Sequence, residues 1–521
     1  TFIKSVSMTE TICAALHRGM NSELDDKLAG AIASFDVETS ILRLSAIAGM
    51  KREKDQVKPD EARLHRNRTP EELDEQRRQN LKAMAEYLPD YDSQPTQKNT
   101  QNIYESLKKS GFYDKKLPDW AVQQFEEILA ASYFSIDGVF REAGPDMMSL
   151  RVQRLVTSRP YPTNHPEKRE AMKLHLQKLL NEGVIYRNHT SPYRSAALLV
   201  RKPKWKEGDP LIKKYRLVRD YRALNAVTVT EQYFPPPIGS IIQSVAGSAY
   251  ISVLDFTNAY WQLRINPNDG SQDATCFMVP GFGAYSSKRV LMGLKNSAAV
   301  YQGFMDRMTS AGAFDFCASY IDDVVVHSKD LQTHLIHLQH VFLKAVAHGA
   351  SISLDKCDFF CTDPVLFLGY EISGSGWRPS SKLVQGLDAI GLPKTLKDLR
   401  SVLGLLNFHR SFIRAYSQKT YRLVQATKRG TKFNGLTKDE ADDLTRLIAE
   451  LRKFVIDKMQ LYHVDWNYPI QLFTDASKFG IGGVAYQEIG GEIRPLMYIS
   501  RSVSEAEKKY EDLLFPANTA A

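Results

Sequence analysis

The chain has 521 residues, 43% hydrophobic and 10% aromatic, which excludes a disordered protein and suggests about three or four domains at ~150 residues each. Lysine and arginine total 68 against 60 acidic residues, a net charge of +8, a mild excess that permits a polyanionic partner and proves none. Five scattered cysteines (Cys13, Cys276, Cys317, Cys357, Cys361) make no disulfide framework and favour a reducing compartment, and no apolar run approaches the ~20 residues of a membrane span.

Residues 1 to about 110 read as helical and polar. In "RTPEELDEQ", Thr69 can cap, Pro70 suits the first turn and Glu72 can complete a capping box. Lys51 to Asn80 carries dense charge of both signs and reads as a solvated helix face. "LPDYDSQPTQKNTQN", Leu88 to Asn102, reads as a linker. The chain opens on Thr1 without a signal-peptide pattern and closes on "EDLLFPANTAA"; both ends read as cut, so a piece of a longer polyprotein is expected.

From about Ala143 the pattern changes. "EKREAMKLHLQKLLNEGVI" sets Met172, Leu176, Leu179 and Leu180 at helical spacing behind Pro166, with Gly183 as the stop. "AALLVRKP" reads as a strand, and "KWKEGDPLIKKYRLVRDYRALN" as a basic hairpin returning into another. "AYISVLDFTNAYWQLRI" is a strand with Asp255 near its end, and "SYIDDVVVHS" is a turn between two short strands. "HLIHLQHVFLKAVAHG" is an amphipathic helix ended by Gly349. "QLFTDASKFGIGGVAYQ" is a strand, a glycine-rich turn and a second strand, opening a new α/β unit near Tyr468.

The side-by-side Asp322 and Asp323 demand a reason. At ~4 Å and an effective dielectric of ~20, two carboxylates repel by about 4 kcal/mol, and their neighbours Tyr320, Ile321, Val324, Val325 and Val326 supply no cation. A hairpin turn would expose both, since Asp is common there. Asp255 ends an apolar strand, where a carboxylate is costly to bury. Three carboxylates at strand ends suit oxygen-loving divalent cations such as Mg²⁺, and two such ions roughly 3.5–4 Å apart would clamp an in-line phosphoryl transfer. Lys213, Lys214 and Arg216 in "LIKKYR" are cations for a triphosphate.

From about Arg154 to Ala426 the chain resembles the reverse transcriptase of gypsy-type LTR retrotransposons. The blocks that carry the resemblance, in the family's order, are "EKREAMKLHLQKLLNEGVI", "YRLVRDYRALN", "VLDFTNAYWQL", "LMGLKNSAAVYQGFMD", "YIDDVVVHS", "KCDFF", "FLGYEI" and "LRSVLGLLNFHRSFI". The resemblance implies an α+β right-hand polymerase that follows the helical N-terminal segment (1–110), whose role is open: fingers and lead-in (111–250), palm with an inserted fingers segment (251–375), thumb (376–430), connection (431–467) and the start of an RNase H-like unit (468–521). It makes Asp255, Asp322 and Asp323 the catalytic, metal-binding aspartates, with Phe256 reaching a metal through its backbone carbonyl. Tyr260 becomes the wall that rejects a 2′-hydroxyl. Arg216 lies over the triphosphate, with Lys214 beside it, and Met292 and Gly293 line the nucleotide pocket. Leu291 and Met292 stand where the family has Pro-Phe. Arg219 replaces an apolar residue and is expected to pair with a carboxylate. "FLGYEI" resembles the hairpin that grips the primer. In the thumb, Leu399, Val402, Leu403, Leu406 and Phe408 are expected in the core, leaving Lys394, Lys397, Arg400, Arg410 and Arg414 for phosphates. His334, His337 and His340, three apart on one helix, are read as a solvated or half-buried face rather than a metal site.

The implied activity is RNA-directed DNA polymerisation with two Mg²⁺ ions, or Mn²⁺ in their place, on an RNA or DNA template with primer and dNTPs. A homodimer or polyprotein neighbours are further partners, no membrane is involved, and the compartment carried over is the cytoplasmic retroelement particle, with the nucleus as the alternative. The rival readings are a non-catalytic nucleic-acid-binding subunit and an inactive transposon relic. "FTDASKFGIGGVAYQ" resembles the start of RNase H, with Asp475 its first metal ligand and Glu511, or Glu507, its second. Two further aspartates of such a site are expected beyond this sequence, so no RNase H activity is expected of the chain. Hydrolysis of the RNA strand of a hybrid, abolished by Asp475→Asn, would overturn that expectation.

Overall fold

The computed structural model describes residues 97–504 apart from 137–142, 144–146, 163–164, 203–204, 234, 310–314, 383–385, 387–390, 431–432, 458 and 478. The Thr69 cap and Glu511 lie outside the described residues. The chain divides into two compact units, one holding residues 75–380 and 462–464, the other 381–461 and 465–521 among its parts.

Two sheets of the first unit position the site. The larger has five strands in the order Ile185–Arg187, Gly283–Ser287, Phe277–Val279, Ser195–Arg201, Tyr215–Asp220. Helix Pro166–Asn181 buries Met172, Leu176 and Leu179, and Gly183 follows it at φ +66, the left-handed stop that its spacing predicts.

The second sheet runs in the order Asp358–Cys361, Tyr250–Asp255, Asp323–Ser328, Cys317–Tyr320, antiparallel throughout. Val324, Val325 and Val326 are all fully buried, so this central strand is covered on both faces. Helix Leu331–Ala347 lines the sheet with Leu335, Leu338, Val341, Phe342 and Ala345, and the Asp330 side chain caps it by accepting from Thr333 N–H at 2.8 Å.

Two helices, Gln97–Lys109 and Asp119–Ala131, join the same core. Phe125 is fully buried, with ring centroids 4.9 Å from Phe359 and 5.0 Å from Phe360. The stretch read as a linker to Asn102 is therefore helical from Gln97. Its prolines precede the helix, and Ile103 and Leu107, both buried, pull it onto the core.

His337 and His340 are half-buried, within the expected solvated or half-buried face, but His334 is fully buried because strand serines meet its ring. Its Nε2 lies 2.7 Å from Ser252 Oγ and its Nδ1 2.9 Å from Ser328 Oγ. His337 Nδ1 lies 2.7 Å from the same Ser328 Oγ, and its ring stacks on Phe316 at 3.7 Å. His327 Nδ1 lies 3.0 Å from Ser248 Oγ. Burial, then the charge of neighbouring histidines, drives His334 down to about 3 and His327 down to about 4 from the ordinary 6.5.

In the second unit, helices Leu396–Phe408 and Lys438–Ile456 each open on a capping box, Thr395 with Asp398 and Thr437 with Glu440. Leu399, Val402 and Leu406 are buried as expected, Leu403 is half-buried, and Phe408, the last residue of the helix, is 46% exposed. Lys394, Lys397, Arg400, Arg410 and Arg414 are all exposed. An antiparallel sheet of Gln471–Ser477, Gly480–Ile489 and Glu492–Ser502 follows. Gly480, Gly482 and Gly483 lie in the strand rather than in a turn. A Cβ at Gly480 would come within 2.9 Å of Arg501 O, and one at Gly483 within 3.0 Å of Phe473 O, so close backbone approach requires glycine.

Truncating Phe125 to Ala should lower stability by about 3–5 kcal/mol in chemical denaturation, as for other buried aromatics. A loss under about 1 kcal/mol would remove Asp119–Ala131 from the core. The buried histidines predict acid sensitivity: the unfolded chain takes up these protons near pH 6.5 and the folded chain only near 4 and 3, so stability is lost as pH falls from about 6.5 toward 4. His334→Gln should flatten that dependence of the melting temperature; an unchanged slope would refute the assignment.

Candidate active site

The register of the central sheet assembles the site. Asp323 pairs directly with Asp255, and the ladder continues Val324 with Leu254 and Val325 with Val253. Directly opposed side chains have Cβ atoms about 4.5–5.5 Å apart. Asp322 is the next residue, in the two-residue loop between Tyr320 and Asp323. The paired Asp323 and Asp255, with Asp322 in the adjoining loop, thus lie at one end of one sheet.

The loop is unusual. Its first residue, Ile321, has φ +56. Positive φ at this position gives the twist that suits a two-residue hairpin, but glycine normally supplies it. A β-branched residue there costs about 1–2 kcal/mol.

The electrostatics are those of crowded like charges. Asp323 is pushed up to about 6, first by burial and then by Asp322 and Asp255. Asp255 Oδ1 is 3.0 Å from Lys356 Nζ, an exposed pair worth ~0.2–1 kcal/mol. Lys356 stands in the quoted "KCDFF" block, yet nothing in its spacing ties it to Asp255. The donor set is all oxygen and all anionic, which fits a hard divalent cation and not a thiolate-seeking one. Among the described residues no three His, Cys, Asp or Glu side chains already converge on one point. Phe256 is 3% exposed and packs in the apolar core.

Tyr260 sits in the helical turn Ala259–Gln262, which begins after Asn258 at φ +48. Its ring packs on that of the fully buried Tyr301, centroids 5.3 Å apart. Burial, then the Asp322 charge, raises the Tyr260 phenol. The ring is therefore fixed in position beside the carboxylates.

Met292 is 70% exposed beside the buried Leu291. Gly293 has φ +97, and a Cβ there would meet nothing within 4 Å, so conformation and not crowding calls for glycine. Asn225, a residue the sequence reading did not single out, holds this loop from both sides. Its Nδ2 donates to Gly293 O at 2.8 Å, and its Oδ1 accepts from Lys295 N–H at 2.9 Å.

Arg216 is exposed on the Tyr215–Asp220 strand. Lys214 is committed elsewhere: its Nζ is 2.5 Å from Glu167 Oε1 and 4.3 Å from the centre of the Trp205 ring. It ties helix Pro166–Asn181 to the basic hairpin, which is a structural task. Arg219 does not meet a carboxylate as expected. Its guanidinium lies over Phe277 at 5.0 Å, on the opposite strand face from Arg216. Asp220 instead takes a cation, accepting from Arg222 Nε at 2.8 Å and Nη2 at 2.7 Å, which holds its carboxyl well below the usual range. Asp475 is exposed, opposite Gly482 in its sheet.

Residues 200–372 match the family of reverse transcriptase (RNA-dependent DNA polymerase), and residues 441–514 match the RNase H-like domain found in reverse transcriptase. The retrovirus-related Pol polyprotein from transposon opus of Drosophila melanogaster is 31% identical over 362 residues, covering 68% of this chain and 35% of that protein. The corresponding polyprotein from transposon gypsy of the same organism is 28% identical over 369 residues, covering 68% and 34%. The chain thus spans about a third of the length of these curated relatives. The foamy viral protease-reverse transcriptase solved in complex with RNA/DNA hybrid shares the fold, with a TM-score of 0.66 at 22% identity over 82% of this chain and 56% of that one. The chain carries a reverse transcriptase domain followed by an RNase H-like domain, and is similar in sequence to the Pol polyproteins of the opus and gypsy transposons.

Proposed function

We propose that this chain is the RNA-directed DNA polymerase of a retroelement, extending a primer 3′-hydroxyl with dNTPs. The observation that carries the reading is the pairing of Asp323 with Asp255, next to Asp322. Two Mg²⁺ ions, or Mn²⁺, would lower the pKa of the attacking hydroxyl and neutralise the triphosphate. Asp255, Asp322 and Asp323 would hold them, relieving the repulsion that lifts Asp323 and displacing Lys356 from Asp255. Tyr260, backed by Tyr301, closes the space a 2′-hydroxyl would need. Arg216 remains free to meet a triphosphate, and Gly293 presents backbone beside Met292. Lys214 is given no role there.

The partners proposed are an RNA or DNA template with its primer and dNTPs. They are supported by the reverse transcriptase match and by the RNA/DNA hybrid and double-stranded DNA bound in the foamy viral structures. Template contact would rest on backbone charge and duplex shape, with base pairing carrying sequence. A homodimer remains part of the proposal, and the compartment proposed is the cytoplasmic particle of the element.

On poly(rA)–oligo(dT) with Mg²⁺, wild type should incorporate dTTP, and Asp322→Asn should lose at least ~100-fold in kcat with primer–template affinity retained. Equal binding by both proteins with extension by neither would favour a nucleic-acid-binding subunit instead. Tyr260→Val should raise use of rNTPs relative to dNTPs by on the order of 10–100-fold, and an unchanged ratio would remove Tyr260 from sugar selection.

A further inference from the structure

Ile321 is held at φ +56, and Asp322 and Asp323 follow it directly. The side chain that grips this turn is Gln302, 1% exposed, on helix Ser297–Met308. Its Oε1 accepts from Ile321 N–H at 2.6 Å. Its Nε2 lies 3.3 Å from Ser319 O, 3.2 Å from Ser319 Oγ and 2.8 Å from Asp306 Oδ1, so two hydrogens serve three acceptors. Asp306, one helical turn further on, accepts from Ser319 Oγ at 3.4 Å, and its other oxygen accepts from the Tyr233 hydroxyl. One amide therefore holds the strand before the loop and the strained residue within it.

A buried glutamine is tolerated only when its polar atoms are satisfied. Here the hairpin and Asp306 satisfy it. The helix is otherwise apolar at this depth, with Tyr301, Phe304 and Met305 fully buried beside Gln302. A hydrophobic side chain would fill the same space without gripping the turn. We infer that Gln302 is a positioning residue, holding the Ile321 turn in its unfavourable conformation so that Asp322 and Asp323 stay aligned with Asp255. It touches no substrate and acts through the two aspartates. This inference rests on the polymerase reading.

The test uses the full chain with Gln302→Met, which keeps length and loses the hydrogen bonds. Under saturating primer–template, kcat should fall on the order of 100-fold while the Kd for primer–template changes by less than about 2-fold. Mn²⁺ binding, read by electron paramagnetic resonance titration without nucleotide, should weaken in parallel. Adding Ile321→Gly should restore much of both, because glycine takes positive φ without help. A kcat for Gln302→Met within about 2-fold of wild type would overturn the inference, as would a loss unrelieved by Ile321→Gly. Should Gln302→Met alone not fold, the double variant Gln302→Met with Ile321→Gly decides: folded and active supports the inference, folded and inactive overturns it. If wild type itself fails to polymerise, the polymerase reading fails, while the Mn²⁺ titration still reports on Gln302.

Discussion

The register between strands Tyr250–Asp255 and Asp323–Ser328 is the constraint on which the site depends. A slip of one residue would move Val324 and Val326 to the other face of the sheet, against the wrong neighbours, and remove Asp323 from Asp255. The apolar ladder and the carboxylate cluster are therefore one specification. Val324 and Leu254 are fully buried, and the driving force that buries them also forces the two aspartates together. The chain's hydrophobic effect holds like charges in a place that electrostatics alone would reject.

That conflict explains several features around the sheet. Lys356 offsets Asp255 from the surface, where the ion pair is weak enough to yield to a stronger cation. Beneath the strands, polar groups are buried as a paired set, His334 between Ser252 and Ser328 and His327 against Ser248. The N-terminal helices close the far side with aromatic packing through Phe112 and Phe125. The loop carrying Asp322 is the strained exception. It survives because the surrounding hydrogen bonds over-determine it, a pattern expected at functional sites.

Much of this was legible in the sequence. Alternation and apolar runs located the strands carrying Asp255 and Asp323, and Gly183 and Gly349 marked helix ends at φ +66. Asp255, Asp322 and Asp323 were named from their neighbours and from family blocks. Other assignments failed for a common reason: a polar residue's partner is set by tertiary neighbours. Lys214 found Glu167, Arg219 found Phe277, and His334 found serines on two strands. Gln302 and Asn225 were passed over because an amide in a helix or before a loop reads as surface. Only the fold reveals that one is 1% exposed and that the other brackets Gly293.

The sequence by itself determined the strand and helix elements, the three carboxylates and the order of the two domains, because hydrophobic period and short motifs are local. The tertiary structure decided which cation meets which anion, why Gly480 and Gly483 sit within a strand, and what holds Ile321 at positive φ. Those outcomes depend on distances between residues far apart in the chain, such as Gln302 with Ile321 and Asp255 with Lys356. No local pattern encodes such distances; only packing of the whole unit brings the atoms within hydrogen-bond reach.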